Sequence, residues 1–201
     1  MRIVGGRFSG QRLSGPGADG GGAAHLRPTS DRVREALFNL LAHGAYPPVD
    51  GARVLDLFAG TGGLGLEALS RGASRAVFVD DFAKARALIR ENVERLGVIG
   101  ETKIWRRDAT RLGPCRGTPF DLVFADPPYR SGLGTRALAS AASGGWIAPG
   151  AVVALELAAD EPAPELVWLA PADDRRYGDT RLHIGRAGPE VAEQDAVEGQ
   201  A

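Results

Sequence analysis

Val54-Leu55-Asp56-Leu57-Phe58-Ala59-Gly60-Thr61-Gly62-Gly63-Leu64-Gly65 decides the fold of this chain. Its apolar start reads as a buried strand, its glycines as a tight turn, and the residues after them as the opening of a helix. Gly60, Gly62 and Gly65 satisfy the G-x-G-x-x-G pattern, and Asp80 follows Gly60 by 20 residues at the end of the next strand-like run. In a dinucleotide reading the glycines admit a pyrophosphate and the acid binds a ribose hydroxyl. Asp56 argues otherwise. A carboxylate at the strand's end repels a phosphate and suits a ligand with a positive amino group. S-adenosylmethionine is such a ligand, with a sulfonium and an α-ammonium beside an adenosine. Asp56 then serves its methionine end, directly or through water; Asp80 serves the ribose, and Asp108 lies near the adenine.

Working outward, strand and helix patterns alternate. Strands are expected at Arg53–Phe58, Arg75–Asp80, Thr102–Arg107, Phe120–Ala125 and Ala151–Leu157, with helices near Gly63–Arg71, Phe82–Leu96 and Leu133–Ser143. This predicts an α/β fold with a doubly wound parallel sheet and ligands at the carboxyl ends of its strands. Leu166–Ala170 and Thr180–Gly185 are strand-like and joined by a polar link with no helix, so they form an antiparallel hairpin. Ahead of the alternation, Arg2–Phe8 and Gln11–Leu13 read as a β-hairpin, Ser14–Ala24 as a Gly-rich loop, and Ser30-Asp31 as the cap of a helix bearing Val33, Leu37, Leu40 and Leu41. The organisation expected is an N-terminal extension over 1–50, a catalytic domain over 51–186, and a disordered acidic tail over 187–201.

Composition bounds the function. The chain of 201 residues is 44% apolar and 24% charged, as an ordinary globular domain is. No apolar stretch spans a bilayer and the start does not read as a signal peptide, so a cytoplasmic protein is expected. The lone Cys115 excludes an internal disulfide, and the scattered His25, His43 and His183 lack metal-ligand spacing. Four acids and no base follow Ala187, so the rest of the chain nets +3 against −1 for the whole. Arg2, Arg7, Arg12, Arg27, Arg32 and Arg34 face only Asp19 and Asp31 in the first 34 residues. This basic head is a candidate phosphate-contact surface.

Asp126-Pro127-Pro128-Tyr129 follows the apolar run Leu122–Ala125 and carries the chemistry. The exocyclic amine of a nucleobase is a poor nucleophile because its lone pair is delocalised into the ring. The Asp126 carboxylate and the Pro127 carbonyl can accept hydrogen bonds from both its N–H groups and point the lone pair at an electrophile. The prolines fix φ and aim that carbonyl in advance. Tyr129 offers a stacking ring, worth about 1–3 kcal/mol.

With these residues quoted, the chain resembles the class I S-adenosylmethionine-dependent methyltransferases, and within them the bacterial ribosomal small-subunit methyltransferase D family. Arg2–Gly6, Arg27–Asn39, Asp56–Gly62 with Leu64–Gly72, the Asp126–Tyr129 tetrad and Tyr177–Thr180 carry the resemblance, which runs from Met1 to Arg186. It implies a Rossmann-like, seven-stranded, mostly parallel sheet with an antiparallel last strand. It also implies methylation of N2 of a guanine in a hairpin loop of 16S ribosomal RNA, with that RNA, the small subunit or an assembly intermediate as partner of a monomer. The resulting site assignments are Asp126, Pro127 and Tyr129 for catalysis. Asp56, Phe58, Gly60, Gly62, Gly65, Asp80, Asp81, Asp108 and Ala109 hold S-adenosylmethionine; Pro128 joins the six arginines in binding RNA. No metal is expected. Asp80 stands where the family more often has glutamate, so adjacent Asp81 competes for the ribose.

Rival readings remain at this point. An N6-adenine DNA methyltransferase can carry the same tetrad, but it usually needs a separate recognition domain. Asp108 and Asp126 stand only 18 positions apart, and no other segment can house one. Another RNA methyltransferase, a non-catalytic RNA-binding assembly factor and a nicotinamide oxidoreductase are the others. Choosing guanine over adenine rests on the resemblance alone.

Overall fold

The computed structural model describes residues 1–16 and 30–191. Strands β1 (Arg53–Leu57), β2 (Arg75–Val79), β3 (Thr102–Trp105), β4 (Phe120–Ala125), β5 (Ile147–Ala158), β6 (Leu169–Tyr177) and β7 (Thr180–Ala187) form one sheet. Their spatial order is β3-β2-β1-β4-β5-β7-β6. Every pairing from β3 to β5 is parallel, and β7 runs antiparallel to both neighbours, as the resemblance implied. The helices are α1 (Asp31–His43), α2 (Gly63–Ser70), α3 (Ala83–Leu96) and α4 (Leu133–Ser143). Among the described residues no helix is long and apolar enough to cross a membrane.

The central strands read as continuous apolar runs because both faces of the sheet are covered. On one face Val54, Phe78, Phe124 and Ala154 pack with α2, α3 and the N-terminal residues Ile3, Leu13, Leu37 and Phe38. On the other, Leu55, Val77, Val123 and Val153 pack with α4 and Trp146. The head therefore shares a core with the sheet. Phe38 alone, fully buried, contributes about 1.5–3 kcal/mol by leaving water. Ser30 caps α1, its hydroxyl accepting from Val33 N at 3.2 Å.

Two expectations are corrected. The N-terminal hairpin reduces to one antiparallel bridge, Arg2 to Arg12, with a 3₁₀ turn at Gly6–Phe8. The cause is tertiary: Phe8 N donates to the Ser70 hydroxyl, which in turn donates to the Gly5 carbonyl, tying the turn to α2. Ile3 N, Gly10 N and Leu13 N still donate across to Gln11 O, Ile3 O and Met1 O. The polar link before β7 is also a strand. Asp173, Asp174, Arg175 and Arg176 belong to β6, whose outward residues are exposed because it is the sheet's edge. Pro171 sits at an irregularity in that edge, where a missing N–H is tolerated. Most of the Gly-rich loop, Arg27, and the tail from 192 onward lie outside the described residues.

Candidate active site

The turn after β1 is built around its glycines. Gly60 and Gly62 take φ of +57° and +80°, which L side chains rarely adopt, and Phe58 takes +58° with a side chain present. Gly65 answers a different need: a Cβ there would lie 2.4 Å from Phe78 Cε1, so glycine lets α2 settle on β2. Two acids hold this turn from below. Asp56 Oδ2 accepts from Gly65 N at 2.9 Å, satisfying an otherwise orphaned donor of the first turn of α2. Asp80 Oδ2 accepts from Gly60 N and its Oδ1 from Phe82 N, both at 2.9 Å.

A cavity of about 620 Å³ opens along the carboxyl ends of the strands, where the fold class places ligands. Phe58, Asp80, Asp81, Asp108 and Ala109 line one end; Asp126, Pro127, Pro128 and Tyr129 line the other. The structure thus brings together the residues nominated for methyl donor and methyl acceptor in one continuous space. Asp56, Gly60, Gly62 and Gly65 lie behind this wall rather than on it.

Asp56 is thus placed to hold the turn, with no direct face on the cavity. It is 1% exposed, and burial, reinforced by the charge of Asp80 and only partly offset by the Gly65 N–H, pushes its pKa up to about 8. Its carboxyl supports the glycine turn through the Gly65 N–H and is not among the residues that line the cavity. The folded protein keeps a proton that the unfolded chain loses above about 3.8. Asp56 thus opposes folding increasingly as pH climbs from about 3.8 to about 8, and no further above that. Asp56→Asn, neutral throughout, is expected to gain on the wild type across this window. Denaturant unfolding at several pH values checks it; parallel pH profiles would sink the assignment.

The other acids differ. Burial raises the pKa of Asp80, opposed by the two backbone donors. Asp108 is exposed and held below the usual carboxylate range, chiefly by the Thr110 hydroxyl and N–H, with Arg111 and Arg136 nearby. At the acceptor end, Asp126 N continues the β1–β4 ladder by donating to Leu57 O at 3.4 Å, which fixes the start of the proline turn. The Tyr129 hydroxyl donates to Glu156 Oε1 at 2.6 Å and lies 2.9 Å from Thr180 Oγ1. Burial, then the Glu156 carboxylate, raises its pKa far above that of a free phenol, so the ring stays neutral.

The head arginines divide. Arg34 is 0% exposed, and its guanidinium reaches Asp31 Oδ1 at 2.8 Å, Glu67 Oε2 at 3.5 Å and the Arg2 carbonyl. It cannot contact phosphates. Its position off the apolar stripe of α1 misled because its partner, Glu67, is remote in sequence. Arg12 and Arg32 are exposed, while Arg2 pairs with Asp31 and Arg7 with Glu101. Sequence reasoning missed Glu156, Thr180, Arg107 and Arg136, all of which line the cavity. Only Thr180 carried a signal, within the Tyr177–Thr180 segment.

Residues 1–186 match the model of a family described as conserved hypothetical protein 95. The ribosomal RNA small subunit methyltransferase D of Escherichia coli K12 is 37% identical over 166 residues, 82% of this chain and 78% of its own. The chain belongs to the small-subunit methyltransferase D family. A second member of the family, from Haemophilus influenzae, is 33% identical over 81% of each chain. A solved putative methyltransferase from E. coli superposes with a TM-score of 0.75 at 31% identity, covering 94% of this chain and 98% of its own. Membership makes the protein a methyltransferase, of a class that uses S-adenosylmethionine.

Proposed function

We propose that this methyltransferase transfers a methyl group from S-adenosylmethionine to the exocyclic N2 of a guanine in a hairpin loop of 16S ribosomal RNA. The carrying observation is one continuous cavity with Asp80 and Asp108 at one end and the Asp126–Tyr129 turn at the other. Its volume falls within the range of about 300–1,000 Å³ usual for small-molecule sites. The donor set also suits the cofactor: Asp80 and Asp81 would hold ribose hydroxyls, Asp108 and Ala109 would lie at the adenine, and Phe58 would give an apolar wall. When bound, S-adenosylmethionine supplies a methyl group activated by its sulfonium.

The chain's own residues do the rest. Asp126 and the Pro127 carbonyl accept from the two N–H groups of the base amine and hold it pyramidal. Tyr129, clamped at its hydroxyl by Glu156 and Thr180, presents its ring to the unstacked base at limited cost, since RNA loops already splay their bases. Orientation of this kind is worth up to about 7–11 kcal/mol. No strong base is needed, because a methylated ammonium loses its proton readily. Incubation with labelled S-adenosylmethionine and naked 16S RNA, assembly intermediates or whole subunits, followed by mapping of the modified nucleotide, tests this. Label on an adenine, or none on any RNA, would sink it.

RNA is held, in this reading, by the exposed part of the head, with Arg107 and Arg136 at the cavity itself. Arg12→Glu with Arg32→Glu is expected to weaken RNA binding about tenfold or more. The slope of log affinity against log salt should fall by about 0.7–0.9 for each phosphate that is no longer neutralised. Cofactor affinity should hold steady. RNA titrations at two salt concentrations check this, and an unchanged slope would remove both residues from the interface.

A further inference from the structure

Of the signature Tyr177-Gly178-Asp179-Thr180, only Thr180 serves the clamp on Tyr129. Gly178 and Asp179 form the two-residue turn between β6 and β7, and Tyr177 pairs with Thr180 across it. Gly178 takes φ of +60°, as the first central residue of such a tight turn does. The Asp179 carbonyl accepts from Ala159 N at 2.9 Å, so the turn is also tied to the residue after β5. Side chains directly opposite in an antiparallel pair share one face, with Cβ atoms about 4.5–5.5 Å apart. Tyr177 therefore stands beside Thr180, whose hydroxyl lies 2.9 Å from that of Tyr129. It packs in part against the core that holds Leu182 and Ile184, and it also lines the cavity. It is the one aromatic residue of β6, placed where that strand meets the cavity.

We propose that Tyr177 is a second stacking platform, which takes the unstacked base next to the target guanine in the RNA loop. The inference rests on the reading of the protein as a guanine-N2 methyltransferase of RNA. In that reading the Tyr129 ring takes the target base. Thr180 stands between the Tyr129 hydroxyl and Tyr177, so the second ring meets a second base. A base rather than a phosphate suits the place: Asp179, exposed on the same rim, repels an anion but not a neutral ring. Every base has a π-face, so a neighbour of any identity is held. A base drawn out of its stack leaves the neighbour bare on one side, and Tyr177 replaces that lost contact. The turn fixes the ring before RNA arrives, so little freedom is lost when the base lands on it.

The test uses 16S RNA, free or assembled, whichever the wild type methylates, with an abasic site immediately before or after the target guanine. On the side that Tyr177 serves, the abasic site is expected to lower wild-type kcat/KM by about 5- to 150-fold, the span of one base–aromatic stack. Tyr177→Ala should lose a similar factor on intact RNA, and less than about threefold further on that abasic RNA. Tyr177→Phe, which keeps the ring, should behave as the wild type does on both. Where the alanine variant does not fold, as read from its S-adenosylmethionine affinity, Tyr177→Leu replaces it. Leucine fills the core side without a π-face and carries the same expectation. Losses that multiply at both flanks overturn the inference, because a merely structural tyrosine is indifferent to the neighbouring base. Full activity of the alanine variant overturns it too, as does a phenylalanine variant equally impaired. A wild type that methylates no guanine in any of these RNAs overturns the functional reading, and this inference with it.

Discussion

Asp126→Ala is expected to lower turnover by about 10²- to 10⁴-fold while leaving S-adenosylmethionine affinity within a few-fold of wild type. The side chain lines the acceptor end of the cavity, away from Asp80 and the glycine turn. In the proposed mechanism, removing it withdraws one of two acceptors for the amine, and the Pro127 carbonyl remains. Loss of a preorganised group aimed at the reacting atom usually costs about 10²–10³, and loosened orientation adds to that. Asp126→Asn should fall between, since an amide oxygen still accepts one hydrogen bond. Calorimetry with the cofactor and label transfer to 16S RNA measure both halves. Full activity in the alanine variant would show that the amine is held elsewhere.

Glu67→Leu should cost about 3–5 kcal/mol of stability, the usual result of stranding one member of a buried ion pair. Glu67 is fully buried at the centre of the head's anchorage. It takes Arg71 at 2.9 Å and Arg34 at 3.5 Å, and it accepts from Val4 N at 2.8 Å. In its absence Arg34 stays buried with a carboxylate removed from beside it, and Val4 loses its acceptor. For a chain of this size the change corresponds to a fall in melting temperature of roughly 6–20 °C. Adding Arg34→Met should restore part of the loss, because an apolar pair of similar bulk carries no desolvation cost. Thermal unfolding of the two single variants and the double variant measures the coupling. Additive losses would mean that the two side chains do not act together.

Much of this molecule is legible in its sequence where local pattern and tertiary environment agree. Phe120–Ala125 and Leu133–Ser143 are found at the expected bounds because a strand covered on both faces leaves a continuous apolar run and an amphipathic helix leaves a helical period. The glycine turn is legible for the same reason: positive φ at Gly60 and Gly62 is a local demand. What stayed hidden depends on partners remote in the chain. Arg34 looked solvated until Glu67 was placed beside it. Asp56 looked like a charge for a ligand until its burial and the Gly65 N–H were known. Glu156 drew no notice within Ala151–Leu157, and only the fold brings it to the Tyr129 hydroxyl. The polar face of β6 looked like a loop because an edge strand has little apolar period to show.

The placement of β7 between β5 and β6 also has a temporal side. The donor end of the cavity is walled by β1, β2 and the residue after β3, all supplied by the first 110 residues, whereas Thr180 arrives with the final hairpin. Its contact with Tyr129 spans 51 residues of chain. Domains emerge N-terminus first during synthesis, and distant pairings form slowly because loop closure must precede them. A growing chain can therefore shape its donor wall while the acceptor wall is still unmade. Competence to seat a base is acquired last, in the step that zips β7 into the sheet.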